Sequence, residues 1–165
     1  MKRRWEPYIN PLILLTLAVI SFFLFFYKLG GIGMLGPDEP RYAAIASGML
    51  QSGDYITPRL NGETWFEKPV LYYWLGALGY KILGLNERGA RFPSALAATL
   101  TVFLVYWCGK KLWNRRTGFL AALVLASSVG FFAFAHAAST DMPLTACGGQ
   151  GTPAPCPPRQ LPGTP

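Results

Sequence analysis

The stretch "PVLYYWLGALGYKILG", Pro69 to Gly84, is apolar enough to be taken for a membrane crossing, yet charged residues stand close on both sides of it. Its status sets how often the chain crosses, and therefore on which side the polar loop before it lies. Upstream, "PLILLTLAVISFFLFFY", Pro11 to Tyr27, is a charge-free run of 17 residues. At about 1.5 Å per residue such a helix nearly spans a hydrocarbon core of about 30 Å. Trp5, Tyr8 and Tyr27 stand at its ends, as interfacial anchors do. The preceding "KRR" also suits a signal peptide, but no small-x-small cleavage site follows at once, which favours an uncleaved helix. Downstream, "FPSALAATLTVFLVYWC", Phe92 to Cys108, and "GFLAALVLASSVGFFAFAHAA", Gly118 to Ala138, are each close to spanning length.

Between those two runs, "GKKLWNRRTG" carries Lys110, Lys111, Arg115 and Arg116 and no acid. A short basic loop stays in the cytoplasm, and so does a basic amino terminus. The long loop from 28 to 91 has basic residues of its own, but long loops count little toward orientation and acidic residues accompany them. With both basic segments cytoplasmic, a crossing by Pro69–Gly84 is one too many. The segment is therefore expected to lie along the outer surface. A Pro at its start, a Gly just past its end and the dense Tyr72, Tyr73 and Trp74 suit an interfacial helix of about four turns. A second surface helix is expected after Gly36, with Asp38 or Glu39 as cap and Pro40 in its first turn. There Tyr42, Ile45, Ala46, Met49 and Leu50 form an apolar stripe and Gly53 is the stop. "YITPRLNGETW" between the two is turn chemistry, through Pro58 and Asn61-Gly62. The expected fold is an all-α membrane protein with three transmembrane helices at 11–27, 92–108 and 118–138 and two juxtamembrane surface helices in an extracytoplasmic loop, 28–91.

Composition agrees: 52% hydrophobic and 14% charged residues are unusual for a soluble chain of 165 residues. The net charge of +7 comes from short loops beside apolar runs and not from one polar face, which argues against a nucleic-acid partner. Cys108, Cys147 and Cys156 show neither CxxC spacing nor a neighbouring histidine, so neither a zinc site nor a disulfide framework is indicated. From Cys147 to Pro165 the chain turns Pro/Gly-rich, holding six of the fourteen prolines. Such a tail builds no core, and it is expected to be either a flexible linker or the product of a lost reading frame.

The opposite charges concentrate in "GPDEPRYAAIASGMLQSGDYITPRLNGETWFEKP", Gly36 to Pro69, where the two surface helices would bring Asp38, Glu39 and Arg41 near Glu67 and Lys68. One reading is a helix cap and solvated ion pairs. The other is a site for a lipid-borne phosphate: Arg41 and Lys68 neutralise it, Glu67 holds a divalent cation, and Asp38 is a general base on an acceptor hydroxyl. Asp141, in "STDMPLT", falls on the same side under this topology, either as a helix cap or as a second acid. His136 lies about one turn before it and is expected to pack against a neighbouring helix, without a ligand role. Motifs of soluble enzymes are missing: the chain has no P-loop, GxGxxG, GxSxG or HExxH. A site facing away from the cytoplasm lacks nucleotide-activated donors, so a transferase there would draw on a lipid-linked one.

In order, the motifs DExRY, GDYxxPxLNG, FEKPxLxYW, ARxPSA and TDMPLT resemble the bacterial polyprenyl-phosphate-dependent glycosyltransferases of GT-C fold, and the resemblance covers roughly Pro11 to Thr145. These are the aminoarabinose transferases and their protein mannosyltransferase-like relatives. The resemblance implies an inverting transferase of the bacterial inner membrane, multi-pass, with a cytoplasmic amino terminus. It would move a sugar from an undecaprenyl-phosphate carrier to lipid A or another periplasmic acceptor. It implies that Asp38 and Asp141 are the catalytic acids, that Arg41 and Lys68 hold the carrier phosphate with Glu39 and Tyr42 beside them, and that Glu67 contacts a divalent metal. Family members continue for hundreds of residues, so the chain as given is expected to be inactive alone. The alternative is a small non-enzymatic membrane protein that binds lipid or a partner.

Overall fold

The structure, a computed structural model, describes residues 11–34 and 36–148. The anchors Trp5 and Tyr8, the basic amino terminus, Cys156 and nearly all of the Pro/Gly tail lie outside the described residues. The chain folds as helices α1 (Pro11–Phe25), α2 (Asp38–Ser52), α3 (Val70–Leu83), α4 (Glu87–Leu112), α5 (Arg115–Ser127), α6 (Val129–Ala135) and α7 (Asp141–Gly148). One two-stranded ribbon, β1 (Arg59–Leu60) with β2 (Glu63–Thr64), interrupts them. The expected all-α character holds, with only this hairpin added.

Helix α4 is the axis of the structure. Asn86 caps it, its side chain accepting from the Gly89 N–H at 2.9 Å, and Lys110 and Lys111 close its last turn, where cations complement the helix dipole. At 26 residues it is about 39 Å long, more than a hydrocarbon core needs, so its first turns reach beyond an apolar slab. The helix thus begins before the expected crossing at Phe92: Arg91 belongs to the helix and is not part of a loop before it. Pro93 sits inside α4 without breaking it. It lacks an N–H to give the Gly89 carbonyl, and that carbonyl is where α3 crosses: a Cβ on Gly79 would lie 2.2 Å from the Gly89 oxygen. Only glycine at 79 allows the two helices this close.

Among the described residues, α4 is the one unbroken helix long and apolar enough to cross a membrane. Helix α1 is apolar but has 15 residues and ends at Phe25, short of the expected Tyr27. The expected third crossing is not one rod. Helices α5 and α6 pass the same test only as a pair bent by 67°. The bend falls at Ser128, in a Ser-Ser-Val-Gly run of the kind at which helices kink, with Ser128 in an extended conformation. Leu17, Phe25, Ala95, Ala98, Val102, Tyr106, Ala122 and Ala126 form the core shared by α1, α4 and α5.

Helices α2 and α3 pack on each other and on the amino-terminal half of α4. The expected stripe on α2 is the buried one, with Ile45 fully inaccessible and Tyr42, Ala46 and Met49 nearly so. Gly53 ends α2 in the left-handed region at φ 72°, its N–H bonded to the Met49 carbonyl. Asp38 does not cap α2 as expected. It is the first helical residue, preceded by Pro37, and its side chain meets Arg41 instead. In the ribbon Arg59 pairs with Thr64 and Leu60 with Glu63, around Asn61 and Gly62 at φ 53° and 88°. Two consecutive positive φ values give the tight turn that Asn-Gly favours.

Candidate functional site

The ribbon delivers the site. Its second strand runs directly into Trp65, whose N–H bonds to the Pro58 carbonyl at 2.8 Å, and then into Phe66, Glu67 and Lys68 at the entrance to α3. The Trp65 indole Nε1 donates to Glu67 Oε2 at 3.1 Å, and the guanidinium of Arg41 lies 5.4 Å from the centre of the Trp65 ring. Arg41 Nη1 reaches Asp38 Oδ1 at 3.4 Å and Glu67 Oε2 at 3.6 Å. Arg41 therefore stands between two carboxylates on an aromatic face, as a planar guanidinium can and an ammonium does poorly. Asp38 and Glu67 are largely open to solvent, so these contacts are weak and exchangeable. Lys68 is half-buried and has no hydrogen-bond or ion-pair partner among the described residues. The arrangement offers one unpaired cation and one exchangeable cation to an incoming anion, with a carboxylate on either side of the latter.

Beneath this surface lies an aromatic floor. Tyr72 packs edge to face on both Tyr42 and Tyr73, with centroids 5.4 and 5.9 Å apart, and Tyr42 and Tyr73 meet at a tilt at 6.4 Å. Burial first, then the neighbouring Tyr42 and Glu67, push the Tyr73 phenol up to about 12, so it stays neutral across the physiological range. The expectation that Tyr42 faces a ligand does not match this placement. It is buried in the floor, because its position on α2 belongs to the apolar stripe.

Glu39 differs more. It was expected beside the phosphate-holding residues, but the helical turn at the start of α2 points it inward, away from the sides on which Asp38 and Arg41 emerge. It is 6% exposed, and its Oε2 meets Arg91 Nη2 at 2.9 Å in a buried ion pair. Its Oε1 accepts from Arg91 Nε at 3.2 Å and from the backbone N–H of Ala138. Arg91 goes on to donate to the carbonyls of Leu29, Ile32 and Gly33 at 3.1, 2.8 and 3.0 Å. Five N–H donors meet five acceptors, which is what lets a guanidinium sit at 4% exposure. A strongly basic residue in the helical "ERGARFPSALAA" was the available signal for this pair, since an arginine there must find a partner.

Asp141 opens α7, its N–H accepted by Ser139 Oγ at 3.3 Å, three residues from the Ala138 that Glu39 holds. It is exposed and makes no ion pair with the Arg41 group. His136 follows α6 as its C-terminal capping residue, its ring 4.4 Å from the Phe132 ring of the same helix. Among the described residues, no three His, Cys, Asp or Glu side chains are placed to share a metal ion. Glu67 gives a single carboxylate already facing a guanidinium, so these residues alone do not make a metal centre.

Comparison with known proteins bears on the whole of this architecture. Residues 67–148 match the family model of dolichyl-phosphate-mannose-protein mannosyltransferases. An uncharacterized protein of Aquifex aeolicus is 42% identical over 123 residues, covering 74% of this chain and 25% of that protein. The undecaprenyl phosphate-alpha-4-amino-4-deoxy-L-arabinose arabinosyl transferase of Pseudomonas paraeruginosa is 40% identical over 119 residues, covering 72% of this chain and 22% of its own. The crystal structure of ArnT from Cupriavidus metallidurans bound to undecaprenyl phosphate superposes with a TM-score of 0.78 at 28% identity. That superposition covers 86% of this chain and 26% of ArnT. The chain thus spans about a quarter of the length of the relatives it matches. With its sequence and its helical architecture both matched, the chain belongs to the GT-C family of polyprenyl-phosphate-dependent glycosyltransferases.

Proposed function

We propose that this chain carries the carrier-phosphate part of a lipid-linked sugar transferase, and that Lys68 and Arg41 are the groups that hold the phosphate. The observation that carries the reading is Lys68, half-buried and with no partner among the described residues, which directly follows Glu67, the exposed carboxylate that meets Arg41. An anion arriving there gains two charge-assisted contacts and displaces only weak ones. The relatives named for undecaprenyl phosphate, and the ArnT structure that contains it, support an undecaprenyl-phosphate-linked donor. The acceptor is lipid A or another group at the periplasmic face of the inner membrane.

In the proposed reaction an acceptor oxygen attacks the anomeric carbon of the sugar, the bond from that carbon to the carrier phosphate breaks, and undecaprenyl phosphate leaves. Arg41 and Lys68 stabilise the charge that gathers on the departing phosphate. Asp38, exposed at the start of α2, takes the proton of a hydroxyl acceptor; an acceptor that is itself a phosphate needs no such help. Asp141 is the second acid of the proposed site. The orientation that suits this chemistry puts α2, α3 and the ribbon outside the cytoplasm and the Lys110–Arg116 turn inside it.

The test is binding and not turnover. The 165-residue chain, reconstituted in lipid nanodiscs, is titrated with undecaprenyl phosphate. Lys68→Ala and Arg41→Ala are each expected to weaken binding about tenfold, the size of one lost hydrogen bond to a charged group. Equal binding by both variants and the parent would sink the assignment.

A further inference from the structure

The buried pair of Arg91 and Glu39 joins α4 to the start of α2, which carries Asp38 and Arg41, and to the segment that leads to Asp141. Arg91 belongs to α4. Its partner Glu39 lies between Asp38 and Arg41 on the first turn of α2. Through Glu39 Oε1 the pair also holds the N–H of Ala138, three residues before Asp141. Ser94, one turn along α4, adds a 3.4 Å bond to the Ser139 carbonyl on the same segment. Arg91 further clamps the carbonyls of Leu29, Ile32 and Gly33, in the link from α1 to α2. That link contains Gly30, Gly31 and Gly33 and no regular structure, so little else in its sequence fixes its path.

We infer that Arg91 is a positioning residue of the proposed phosphate site. Its ion pair with Glu39 sets the start of α2, with Asp38 and Arg41, at a fixed distance from the segment that leads to Asp141. The inference rests on the reading of Arg41 and Lys68 given above, and adds to it a residue that touches no ligand. Neither Coulombic attraction nor stability alone accounts for the arrangement, since replacing a buried ion pair by apolar groups is often neutral. What an apolar replacement cannot reproduce is simultaneous hydrogen bonding to five acceptors, two on α2 and three in the link before it, while Glu39 also holds the Ala138 N–H. A geometry shared by two acids and a cation needs this kind of support to within a fraction of an ångström.

The test reads position and binding separately. Spin labels are placed at Gly48→Cys on α2, where an added side chain meets open space, and at Leu144→Cys on α7, which is 60% exposed, with the three native cysteines replaced by serine. The distance between the labels and the affinity for undecaprenyl phosphate are measured for the parent chain, for Arg91→Lys and for Glu39→Gln. The expected result is a broadened distance distribution and binding weakened roughly tenfold or more, at temperatures below the variants' melting. A lowered melting temperature with an unchanged distance distribution and unchanged affinity makes the pair merely structural and overturns the inference. Should a single variant fail to fold, the neutral double variant Arg91→Met/Glu39→Gln is judged by the same two readouts. If the parent chain itself binds no undecaprenyl phosphate, the functional reading fails, and the distance distribution alone decides whether Arg91 positions α2.

Discussion

At the residue scale, the loop after α2 shows how one side chain can organise a turn without burying anything. The Asp54 carboxylate accepts the N–H groups of Ile56 and Thr57, both at 3.0 Å. The Thr57 and Ile56 bonds hold its carboxyl below the ordinary value of 3.8. Because the folded value is the lower one, the turn's contribution to stability is present above pH 3.8 and is lost as pH falls through the lowered value. Amide chemical shifts of Ile56 and Thr57 followed by NMR are expected to titrate with a midpoint below 3.8, and a midpoint at or above it would refute the bond pattern. The same scale separates what could be read from residues and what could not. Asp38, Arg41 and Glu67 are brought together as their clustering in the sequence suggested. Trp65, which orders Glu67 and backs Arg41, was not foreseen, because an aromatic beside a turn carries no mark of which neighbour it will stack on.

At the scale of elements, the contact between α3 and α4 is the most demanding. A side chain at 79 would run into the Gly89 backbone, and a backbone cannot swing aside as a flexible side chain does. Gly79→Val is expected to destabilise the chain by about 1–3 kcal/mol, the usual range for overpacking, seen as earlier thermal unfolding in detergent. An unchanged melting temperature would mean that α3 does not lie against α4 at this point. Helices α2 and α3 were readable in outline, since a stripe at helical spacing and a glycine stop are local signals. The break at Ser128 was not. "LVLASSVGFF" has a continuous helical apolar character, and whether a helix bends there depends on what it packs against.

At the scale of the whole molecule, the decisive question is which side of the membrane each loop occupies. With the proposed orientation, Gly62→Cys in the ribbon turn is expected to react with a membrane-impermeant thiol reagent from outside intact cells. Asn114→Cys, in the turn between α4 and α5, is expected to react only after the membrane is opened. The reverse pattern would place the Arg41 and Lys68 cluster in the cytoplasm and remove its access to a periplasmic acceptor. The sequence by itself determined the class of the protein, the apolar runs, the two helices α2 and α3 and the charged cluster, because periodicity, glycine stops and charge content act over a few neighbouring residues. Only the tertiary structure decided that Glu39 turns inward while Asp38 and Arg41 turn outward, that Arg91 is the partner of Glu39, and that the same pair reaches Ala138. Residues 39 and 91 are 52 apart in the chain, and 39 and 138 are 99 apart. No local pattern encodes such pairings. They follow from the requirement that a charge carried into a dry interior must find its hydrogen-bond partners there, wherever in the chain those partners lie.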